Sequence, residues 1–328
     1  MKRFWSIFSR QCPGLALLSF TIIVLASCGQ GAPIATSSET HSVQTRSTEI
    51  EGEPVRFGVL AIDSAVSVNE RYSPLLEYLS QTISRPFELV ILSQESQFSQ
   101  VEEGALDFST NNPLAAVQIQ RLYDTQFLVT HTRPKTGSEF AGLIIVAHNS
   151  EIETLNDLKG KKAACVAFQT AAAGCTFQIY HLLQNGIDPF TDFASFEENK
   201  SQDNIVLAVL NGSLDVGFIR TGQLEKMEAK GLIQSQDKVR IIDPAEDDFF
   251  YQHTTDLYPE WPVAALPQTD AGLTQAVQEA LLAIPVDHPA LVALKADRFV
   301  PAVDYSKLDG LIETLRLKSW DAQSSISQ

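Results

Sequence analysis

The chain has 328 residues, of which 44% are hydrophobic and 20% charged, and this composition excludes a mainly disordered protein. Forty acidic residues against 24 basic ones give a formal charge of −16, which argues against a mechanism that wraps a nucleic-acid backbone or an anionic membrane surface. The four cysteines have no C-x-x-C spacing, which excludes the common zinc modules.

The N-terminus has the organisation of a bacterial lipoprotein signal. A basic head precedes a mostly apolar run over residues 15–26, which is too short to remain as a membrane-spanning helix. The run ends in LASCG at residues 25–29, which resembles the lipobox, where a signal is cut before an acylated cysteine. We therefore expect residues 1–27 to be removed and Cys28 to carry the lipid. The alternative is an ordinary secretion signal with an incidental cysteine.

The segment after Cys28 is rich in Ser, Thr, Gly and Glu and has no hydrophobic period. Such a segment buries too little apolar surface to offset its chain entropy. Residues 28–53 therefore predict a lipidated cysteine followed by a disordered tether. The body that follows is expected to be extracytoplasmic, on the periplasmic side of a bacterial membrane, and attached through the lipid anchor only.

Residues 54–145 predict the first part of a lobe made of alternating strands and helices. Strands are predicted over residues 55–61, 87–92 and 106–110, and helices over 71–83 and 96–103. Because strands alternate with helices, we expect a mainly parallel sheet with helices on both faces. Extended segments over residues 126–131 and 140–147 mark the place where the chain leaves this lobe.

Residues 146–243 predict a second lobe with the same alternation. Strands are predicted over residues 163–168, 192–196 and 215–220, and helices over 172–184, 202–210 and 222–230. This set of strands and helices is sufficient for a sheet and a core of its own.

The remaining chain is predicted to return to the first lobe through residues 244–303. Extended segments are predicted over residues 239–242 and 249–253, and helices over 272–284, 289–297 and 305–317. The C-terminal helix and tail occupy residues 304–328. The expected fold class is therefore α/β, with two lobes joined by a two-strand hinge and a ligand cleft between them.

Three segments taken in order carry a resemblance to a known family. They are DLKGK at residues 157–161, AVLNGSLDVG at residues 208–217 and LYPEWP at residues 257–262. Together they resemble the PhnD-like substrate-binding proteins of ABC importers for phosphate, phosphite or phosphonate, which have the type II periplasmic-binding-protein fold. The resemblance runs from about Val55 to Arg298. FIRTG at residues 218–222 and the last of the three segments are similar to a branch found as the sensor part of histidine kinases.

The resemblance implies a binding protein rather than an enzyme. It implies a small anionic ligand and an ABC permease as partners, with a separate sensor kinase as the alternative, and no cofactor, metal or nucleic acid. A monomer is expected. A binder of a nitrogenous ligand and a hydrolase that uses the cleft remain as other hypotheses, although no Ser-His-Asp or phosphate-cradling signature supports the latter.

Two predicted helix starts offer backbone N–H groups to an anion. One follows a strand at Asn111 and Asn112, where the alternative role of the two asparagines is simple helix capping. The other contains Thr170, Ala171 and Ala172, at the start of a helix in the second lobe.

The second of these segments departs from the family pattern. The family has a hydroxyl-rich run there, whereas this chain has three alanines after Thr170, with Thr176 further along. Gln202 stands where the family usually has histidine, and a neutral amide supplies no positive charge. These differences favour a less highly charged or differently shaped ligand.

Four further residues are candidates with a structural alternative each. Arg220 ends a predicted strand and can hold an oxyanion by two parallel bonds, or form a surface ion pair. The resemblance implies that Tyr72 lies beside the ligand, and the alternative is that it is a helix-packing residue. For Asp215, which matches an Asp of the family, the two possibilities are that it holds a ligand amine or that it orients the end of the strand. Tyr258, with the neighbouring Trp261, forms a ligand wall or a rigid Pro-rich loop.

Cys165 and Cys175 are the two cysteines of the predicted body. They can pair in an oxidising compartment. One is predicted within a strand and the other in the first turn of the next helix, and layers about 10 Å apart exceed the reach of a disulfide. A disulfide is therefore the less favoured of the two possibilities, and the sequence leaves the pairing open.

Overall fold

A computed structural model describes residues 52–62 and 64–316 of the chain. The predicted signal over residues 1–27, the lipidation of Cys28 and nearly all of the tether lie outside the described residues, as does the end of the predicted C-terminal tail. The strands are β1 (Val55–Leu60), β2 (Phe87–Leu92), β3 (Phe108–Thr110), β4 (Gln126–Thr132), β5 (Glu139–Phe140), β6 (Gly142–Ala147), β7 (Lys162–Cys165), β8 (Ser195–Glu198), β9 (Val216–Arg220), β10 (Val239–Ile242), β11 (Tyr258–Pro259), β12 (Pro262–Ala265) and β13 (Arg298–Pro301).

The helices are α1 (Ala65–Ile83), α2 (Ser96–Glu102), α3 (Pro113–Tyr123), α4 (Phe177–Gln184), α5 (Pro189–Asp192), α6 (Gln202–Leu210), α7 (Gln223–Ala229), α8 (Ala271–Ala283), α9 (Pro289–Leu294) and α10 (Lys307–Leu315). A π-helical turn over Ala172–Thr176 runs directly into α4, and short 3-10 turns cover Leu155–Leu158 and Gln236–Lys238. Within the ranges that the structure describes, no helix is both long and apolar enough to cross a membrane.

The first sheet has six strands in the order β13-β4-β12-β3-β1-β2. β1 pairs in parallel with β2 and β3, whereas β12 and β13 pair antiparallel with β4. The predicted parallel βα units therefore form one part of the sheet, and the returning chain supplies the antiparallel part. We call this sheet and its helices lobe 1.

Helix α1 shows how the sequence builds lobe 1. It begins at Ala65, earlier than predicted, because the side chain of Ser64 accepts a hydrogen bond from the amide of Ser67 and caps it. Its buried residues recur at helical spacing on one face and contact the sheet; they are Val68, Tyr72, Leu75, Leu76 and Leu79.

The second sheet has five strands in the order β10-β6-β9-β7-β8. β7 pairs in parallel with β8 and β9, and β6 pairs antiparallel with β9 and β10. Apolar side chains cover both faces of this sheet and form two buried clusters. We call this sheet and its helices lobe 2, which belongs with lobe 1 to one compact unit.

Two chain crossings join the lobes, as predicted. β5 and β11 lie between the sheets along the chain and pair antiparallel with each other, with Phe140 opposite Tyr258. The whole of β6 belongs to the second sheet. The chain therefore crosses between the lobes at residues 139–141, earlier than the predicted boundary after residue 145. The structure thus has the expected two-lobed α/β architecture with a two-strand hinge.

The returning segment differs from its prediction. Residues 249–253 form no strand, and the chain instead re-enters lobe 1 through β11 and β12. β12 lies between β3 and β4 in the middle of the sheet, where Pro262 takes the first position and leaves the ladder amides of the other residues intact. The prolines around Trp261 are typical of a loop, which is why β12 was not predicted from the sequence; β13 was not predicted either.

The two cysteines of the body are paired, although the sequence favoured the unpaired state. Cys165 and Cys175 form a disulfide with Cα atoms 4.9 Å apart. The amide of Val166 donates to the carbonyl of Gly174 over 3.0 Å, so the chain folds back immediately after β7. Cys175 therefore lies beside the end of the strand rather than in a helix layer packed across it.

Helix α10 contacts both lobes. Its buried residues Leu308, Leu311 and Ile312 share one apolar cluster with Leu114 of α3 in lobe 1 and Phe177 of α4 in lobe 2. The C-terminal part of the described chain therefore stabilises the hinge side of the molecule.

Candidate functional site

A cavity of about 490 Å³ lies between the two lobes. Lobe 1 contributes the residues after β1, the start of α3 and the loop after β4. Lobe 2 contributes the turn after β7, the start of α6, and the end of β9 with the start of α7. These positions are where strands end and helices begin, which is the usual location of ligand sites in open α/β sheets.

Most of the charged residues that line the cavity are basic. Among the described residues that line it, seven are basic and one, Asp203, is acidic. The basic ones are Arg71, Arg133, Lys135, Lys200, Arg220, Lys226 and Lys295. Since the chain as a whole has a formal charge of −16, the cavity has a local charge opposite in sign to that of the protein.

A buried carboxylate lies beneath two of the arginines. Glu260, in the connection between β11 and β12, is 0% exposed, and its Oε1 accepts a hydrogen bond from Arg133 Nε over 2.7 Å. Nη2 of Arg220 lies 3.7 Å from the same oxygen, and Nε2 of His131 lies 3.3 Å from Oε2. We call His131, Arg133, Arg220 and Glu260 the buried charge cluster. It joins the loop after β4, the hinge and the end of β9.

The hinge holds Glu260 in place through its backbone. The amide of Glu260 donates to the carbonyl of Ser138 over 2.7 Å, and its own carbonyl accepts from the hydroxyl of Tyr305 over 2.8 Å. Because both backbone groups are bonded, the carboxylate has a fixed position under the arginines.

The electrostatics of the cluster leave it positively charged. Burial lowers the pKa of Arg220 to about 10, and repulsion from Arg133 and Arg71 adds to this while Glu260 opposes it, so the group is still protonated at neutral pH. Burial disfavours the charged form of Glu260, but attraction to Arg133 and contact with His131 outweigh it and hold the pKa of the carboxyl well below its usual range. Burial, and then repulsion from Arg133, lower the pKa of His131, so its imidazole is neutral at neutral pH.

Helix starts also meet at the cavity. Helix α3 begins beside Asn112, the π-helical turn begins at Ala172, and α6 and α7 begin at Gln202 and Gln223. The first N–H groups of a helix have no carbonyl partner within it, and the helix dipole places positive potential there. The lining therefore offers backbone donors from the helix starts of lobe 2, whereas in lobe 1 the first residue of α3 is Pro113, which has no N–H group, and the amide of Ala115 is bonded to Asn112.

Five of the predicted site residues line the cavity: Asn112, Ala171, Ala172, Gln202 and Arg220. Asn112 has two roles, since its side chain accepts from the amide of Ala115 over 3.1 Å and caps α3, while its Nδ2 donates to the carbonyl of Thr170 over 2.8 Å. The second bond joins lobe 1 to lobe 2. Gln202 orients the end of β9, because its Oε1 accepts from the amide of Arg220 over 2.8 Å.

Three predicted residues lie beside the cavity without lining it. The side-chain amide of Asn111 donates to Gln97 Oε1 over 2.9 Å in the core of lobe 1. The hydroxyl of Thr176 donates to the carbonyl of Ala171 over 3.1 Å. Thr170 contributes the carbonyl that binds Asn112. The Asn111 amide and the Thr176 hydroxyl are therefore used within the fold, and Thr170 takes part through its backbone carbonyl.

Tyr72, Tyr258 and Asp215 do not line the cavity either. Tyr72 is buried in the core of lobe 1, where burial raises its pKa. Tyr258 stacks on Phe177 with ring centroids 3.9 Å apart. Asp215 is exposed and accepts from the amide of Lys162 over 2.8 Å, before the first residue of β9, whereas Arg220 is at the other end of that strand. Tyr72 packs from its helix into the core and Asp215 bonds at the strand end, as their structural alternatives state, whereas Tyr258 lies in strand β11 rather than in a loop.

Sequence reasoning missed six of the seven basic residues. Arg71, Arg133 and Lys226 are partly buried, and Lys135, Lys200 and Lys295 are exposed. They lie on five different segments with no common motif, so only the fold brings them together. Trp261, predicted as part of a rigid loop, also lines the cavity. Arg71, Lys226 and Lys295 lie within predicted helices, where an isolated basic residue carries no signal for a binding site.

No group of three His, Cys, Asp or Glu side chains suited to a metal ion occurs in the part of the chain that the structure describes. Seven of the eight charged side chains in its cavity lining are basic, and basic groups donate hydrogen bonds, which suits an anion rather than a cation.

Comparisons with known proteins agree with this geometry. Residues 57–306 match a family model described as ABC transporter, phosphonate, periplasmic substrate-binding protein. This match covers more than half of the chain.

Solved structures show the same fold at low sequence identity. PhnD1 from Prochlorococcus marinus, in complex with methylphosphonate, has a TM-score of 0.66 at 16% identity and covers 80% of this chain and 98% of its own. XAC2383 from Xanthomonas citri bound to ATP has a TM-score of 0.66 at 18% identity and covers 81% of this chain and 98% of its own. The expected type II periplasmic-binding-protein fold is confirmed.

One relative is a sensor protein. The tetrathionate sensor histidine kinase TtrS of Salmonella typhimurium is 25% identical over 234 residues, which are 70% of this chain. The matched region spans 39% of that kinase's length.

Proposed function

Because the chain belongs to the family of periplasmic substrate-binding proteins of phosphonate ABC transporters, we propose that it binds a small oxyanion in the cavity and delivers it to an ABC permease. The ligand class is a phosphate, phosphite or phosphonate-like anion. One observation carries this proposal: seven basic residues and one acidic residue line a cavity in a protein of formal charge −16. The family consists of binding components of transporters, and no catalytic step is proposed.

Arg220 is the principal ligand-binding group in this proposal. Its guanidinium lies 3.7 Å from the Glu260 carboxylate, too far for a hydrogen bond, whereas Arg133 is hydrogen-bonded to the same carboxylate at 2.7 Å. Arg220 therefore retains donor capacity for two parallel bonds to an oxyanion. Backbone N–H groups at Ala172 and Gln202 supply further donors from the helix starts.

The position of the cavity between the lobes couples ligand binding to the arrangement of the lobes. An anion bound by groups of both lobes stabilises the arrangement in which the lobes are close together, and only that arrangement docks productively on a membrane partner. The bond from Asn112 to the carbonyl of Thr170 connects the lobes at the edge of the cavity.

The proposal includes the lipoprotein form. In it, residues 1–27 are removed, Cys28 is acylated, and residues 28–53 tether a monomeric body on the outer side of a bacterial membrane. The lipobox-like LASCG sequence at residues 25–29 supports this.

A second candidate function is sensing. The similarity to the tetrathionate sensor histidine kinase of Salmonella typhimurium favours it. In this version the same cavity binds the anion, and the loaded protein contacts a separate histidine kinase instead of a permease. Tetrathionate is then one of the anions to be tested.

Titration calorimetry and thermal unfolding test the proposed function. The full-length chain is titrated with phosphate, phosphite, methylphosphonate, 2-aminoethylphosphonate, ethanesulfonate and tetrathionate, with ethylamine as the cationic control. We expect at least one anion to bind and, at one hundred times its Kd, to add about 2.7 kcal/mol to the free energy of unfolding. Binding of ethylamine without binding of any anion would overturn the proposal.

A further inference from the structure

Tyr251 lines the cavity from the returning segment, in a loop between β10 and β11. A hydrogen bond from the amide of Ala245 to the carbonyl of His253, over 2.8 Å, closes this loop. His253 fixes it further, because one ring nitrogen lies 2.7 Å from the carbonyl oxygen of Thr255 and the other lies 3.1 Å from the carboxylate of Asp247. The loop therefore holds Tyr251 at a defined position in the cavity wall.

The loop contacts both lobes beside the cavity. Nζ of Lys135, in the loop after β4, lies 4.4 Å from the ring centroid of Phe250, and the rings of Phe250 and Tyr251 meet edge to face with centroids 4.9 Å apart. In lobe 2, Cε2, Cζ and the hydroxyl oxygen of Tyr251 lie 3.5–3.8 Å from the position that a β-carbon on Gly222 would take. The hydroxyl end of the tyrosine thus lies against the turn after β9, two residues from Arg220.

The hydroxyl of Tyr251 is available to a ligand. It has no hydrogen-bond partner among the residues that the structure describes, although the side chain is partly buried and lines the cavity. Burial lowers the pKa of Arg133 and of Arg220, and Tyr251 is one of the groups that act in the opposite direction on both, so its phenol lies within electrostatic range of the two guanidiniums. A tyrosine hydroxyl is a neutral hydrogen-bond donor, and this one lies where the anion is expected.

Arg220 alone does not distinguish the classes of anion that fit the cavity. Its Nε donates to the carbonyl of Thr221 over 3.3 Å, which leaves the two terminal nitrogens for two oxygens of a ligand. A carboxylate and a tetrahedral oxyanion both present two such oxygens. A phosphonate, phosphite or sulfonate has a third oxygen on the same atom, outside the plane of the other two, and a carboxylate has none. A donor beside the guanidinium can therefore select the tetrahedral group.

We propose that Tyr251 is a specificity-determining residue, whose hydroxyl donates a hydrogen bond to a third oxygen of the anion held by Arg220 and so favours tetrahedral oxyanions over carboxylates. This inference rests on the proposed function, since it names a group that selects the anion in the same cavity. A site that hydrogen-bonds one particular ligand atom discriminates against analogues that lack the atom, because the group in the site then stays unpaired.

Removal of the hydroxyl alone tests the inference. The full-length chain and its Tyr251→Phe variant are titrated at pH 7.5 with each anion of the panel above, and with acetate and propanoate, the carboxylate analogues of methylphosphonate and ethanesulfonate. Carboxylates that bind too weakly for direct titration are measured by displacement of the tightest anion. We expect the substitution to weaken every tetrahedral anion that binds by about tenfold or more, and the two carboxylates by less than about twofold.

Tyr180→Phe is the matched control. Tyr180 is a partly buried residue of α4 outside the cavity lining, and its substitution should leave all affinities unchanged. Melting curves without ligand separate a ligand contact from a structural role. Because the hydroxyl of Tyr251 bonds to no group in the described chain, the ligand-free Tyr251→Phe variant should melt at the temperature of the unchanged protein.

The outcomes separate the inference from the function on which it rests. If the unchanged protein binds an anion and Tyr251→Phe binds it with the same Kd, the inference is overturned and the oxyanion function stands. An equal loss for carboxylates and tetrahedral anions, or an equal loss in Tyr180→Phe, also overturns it. If no anion of the panel binds to the unchanged protein, the proposed function fails and the inference fails with it.

Discussion

The buried charge cluster and the exposed lysines of the same cavity show how position decides what a charge contributes. His131, Arg133, Arg220 and Glu260 lie at the hinge, where Glu260 is 0% exposed and its carboxylate contacts three basic groups. Lys135, Lys200 and Lys295 line the cavity from exposed positions. Buried charges interact strongly and are costly to leave unpaired, whereas exposed charges are screened by water and salt. The cluster should therefore determine stability and tight binding, and the lysines should mainly attract the ligand.

The largest effect is expected from removing the carboxylate of the cluster. Glu260→Gln leaves the partly buried Arg133 and Arg220 side by side without a counter-charge, which should lower the free energy of unfolding by about 3 kcal/mol. Urea unfolding followed by circular dichroism measures the change. Glu246→Ala, an exposed acidic residue on the returning segment, is the matched control and should change stability by less than about 0.5 kcal/mol. Equal effects of the two substitutions would show that Glu260 is not a structural counter-ion.

A smaller effect, on binding rather than stability, is expected at Arg220. Removal of its charge-assisted bonds by Arg220→Ala should weaken the bound anion by about 1.5–3 kcal/mol, or roughly tenfold to a hundredfold in Kd. Calorimetric titration with the tightest anion found for the unchanged protein provides the measurement. Arg298→Ala, an exposed arginine of lobe 1 paired with Asp297, serves as control. If the Arg220 variant binds the anion with unchanged affinity, Arg220 forms only a structural ion pair and does not contact the ligand.

The cluster also predicts a pH dependence of stability. Burial lowers the pKa of His131 in the folded state, so between that value and the ordinary pKa of about 6.5 the unfolded chain binds more protons than the folded one. Stability should therefore fall as the pH drops from 7 through this window, with a slope of at most about 1.4 kcal/mol per pH unit from this group.

His131→Gln should remove that part of the slope, and the free energy of unfolding at several pH values measures it. His148→Gln, on an exposed position of lobe 2, should leave the slope unchanged. A slope that is the same in all three proteins would mean that His131 does not titrate differently on folding.

The smallest effect is expected at the exposed lysines. Lys295→Gln should weaken anion binding by less than about 1 kcal/mol, because an exposed charge acts through solvent. The difference from the unchanged protein should disappear in 0.5 M NaCl, where charges beyond a few ångströms are screened. Titrations at low and high salt test this, and a large loss that persists at high salt would place Lys295 in direct contact with the ligand.

The sequence predicts the two-lobed fold well because local signals agree with it. The alternating strands and helices, and the amphipathic pattern of α1, are properties of neighbouring residues that tertiary contacts reinforce. It fails where distant segments decide the outcome. β12 has prolines on its approach and is a strand only because β3 and β4 flank it, and Cys175 meets Cys165 because the chain folds back at Val166.

The same distinction between local signals and contacts of distant segments explains which site residues were predicted. Asn112, Ala171 and Gln202 were identified because helix starts and family motifs are visible in the sequence, and they line the cavity. The basic residues were missed because Arg71, Arg133 and the others lie on separate segments that only the fold assembles. Asp215 was proposed from its match to the family, and the structure places it before the first residue of β9, a full strand away from Arg220.

The most direct test of the central claim is a crystal structure with an oxyanion that can be located without ambiguity. Crystals grown with selenate allow the anion to be found by the anomalous scattering of selenium. We expect one strong anomalous peak between the lobes, with oxygen atoms within hydrogen-bond distance of the Arg220 guanidinium and the amides at the start of the π-helical turn. A cavity without a peak, or selenate bound only at surface lysines outside it, would contradict the account.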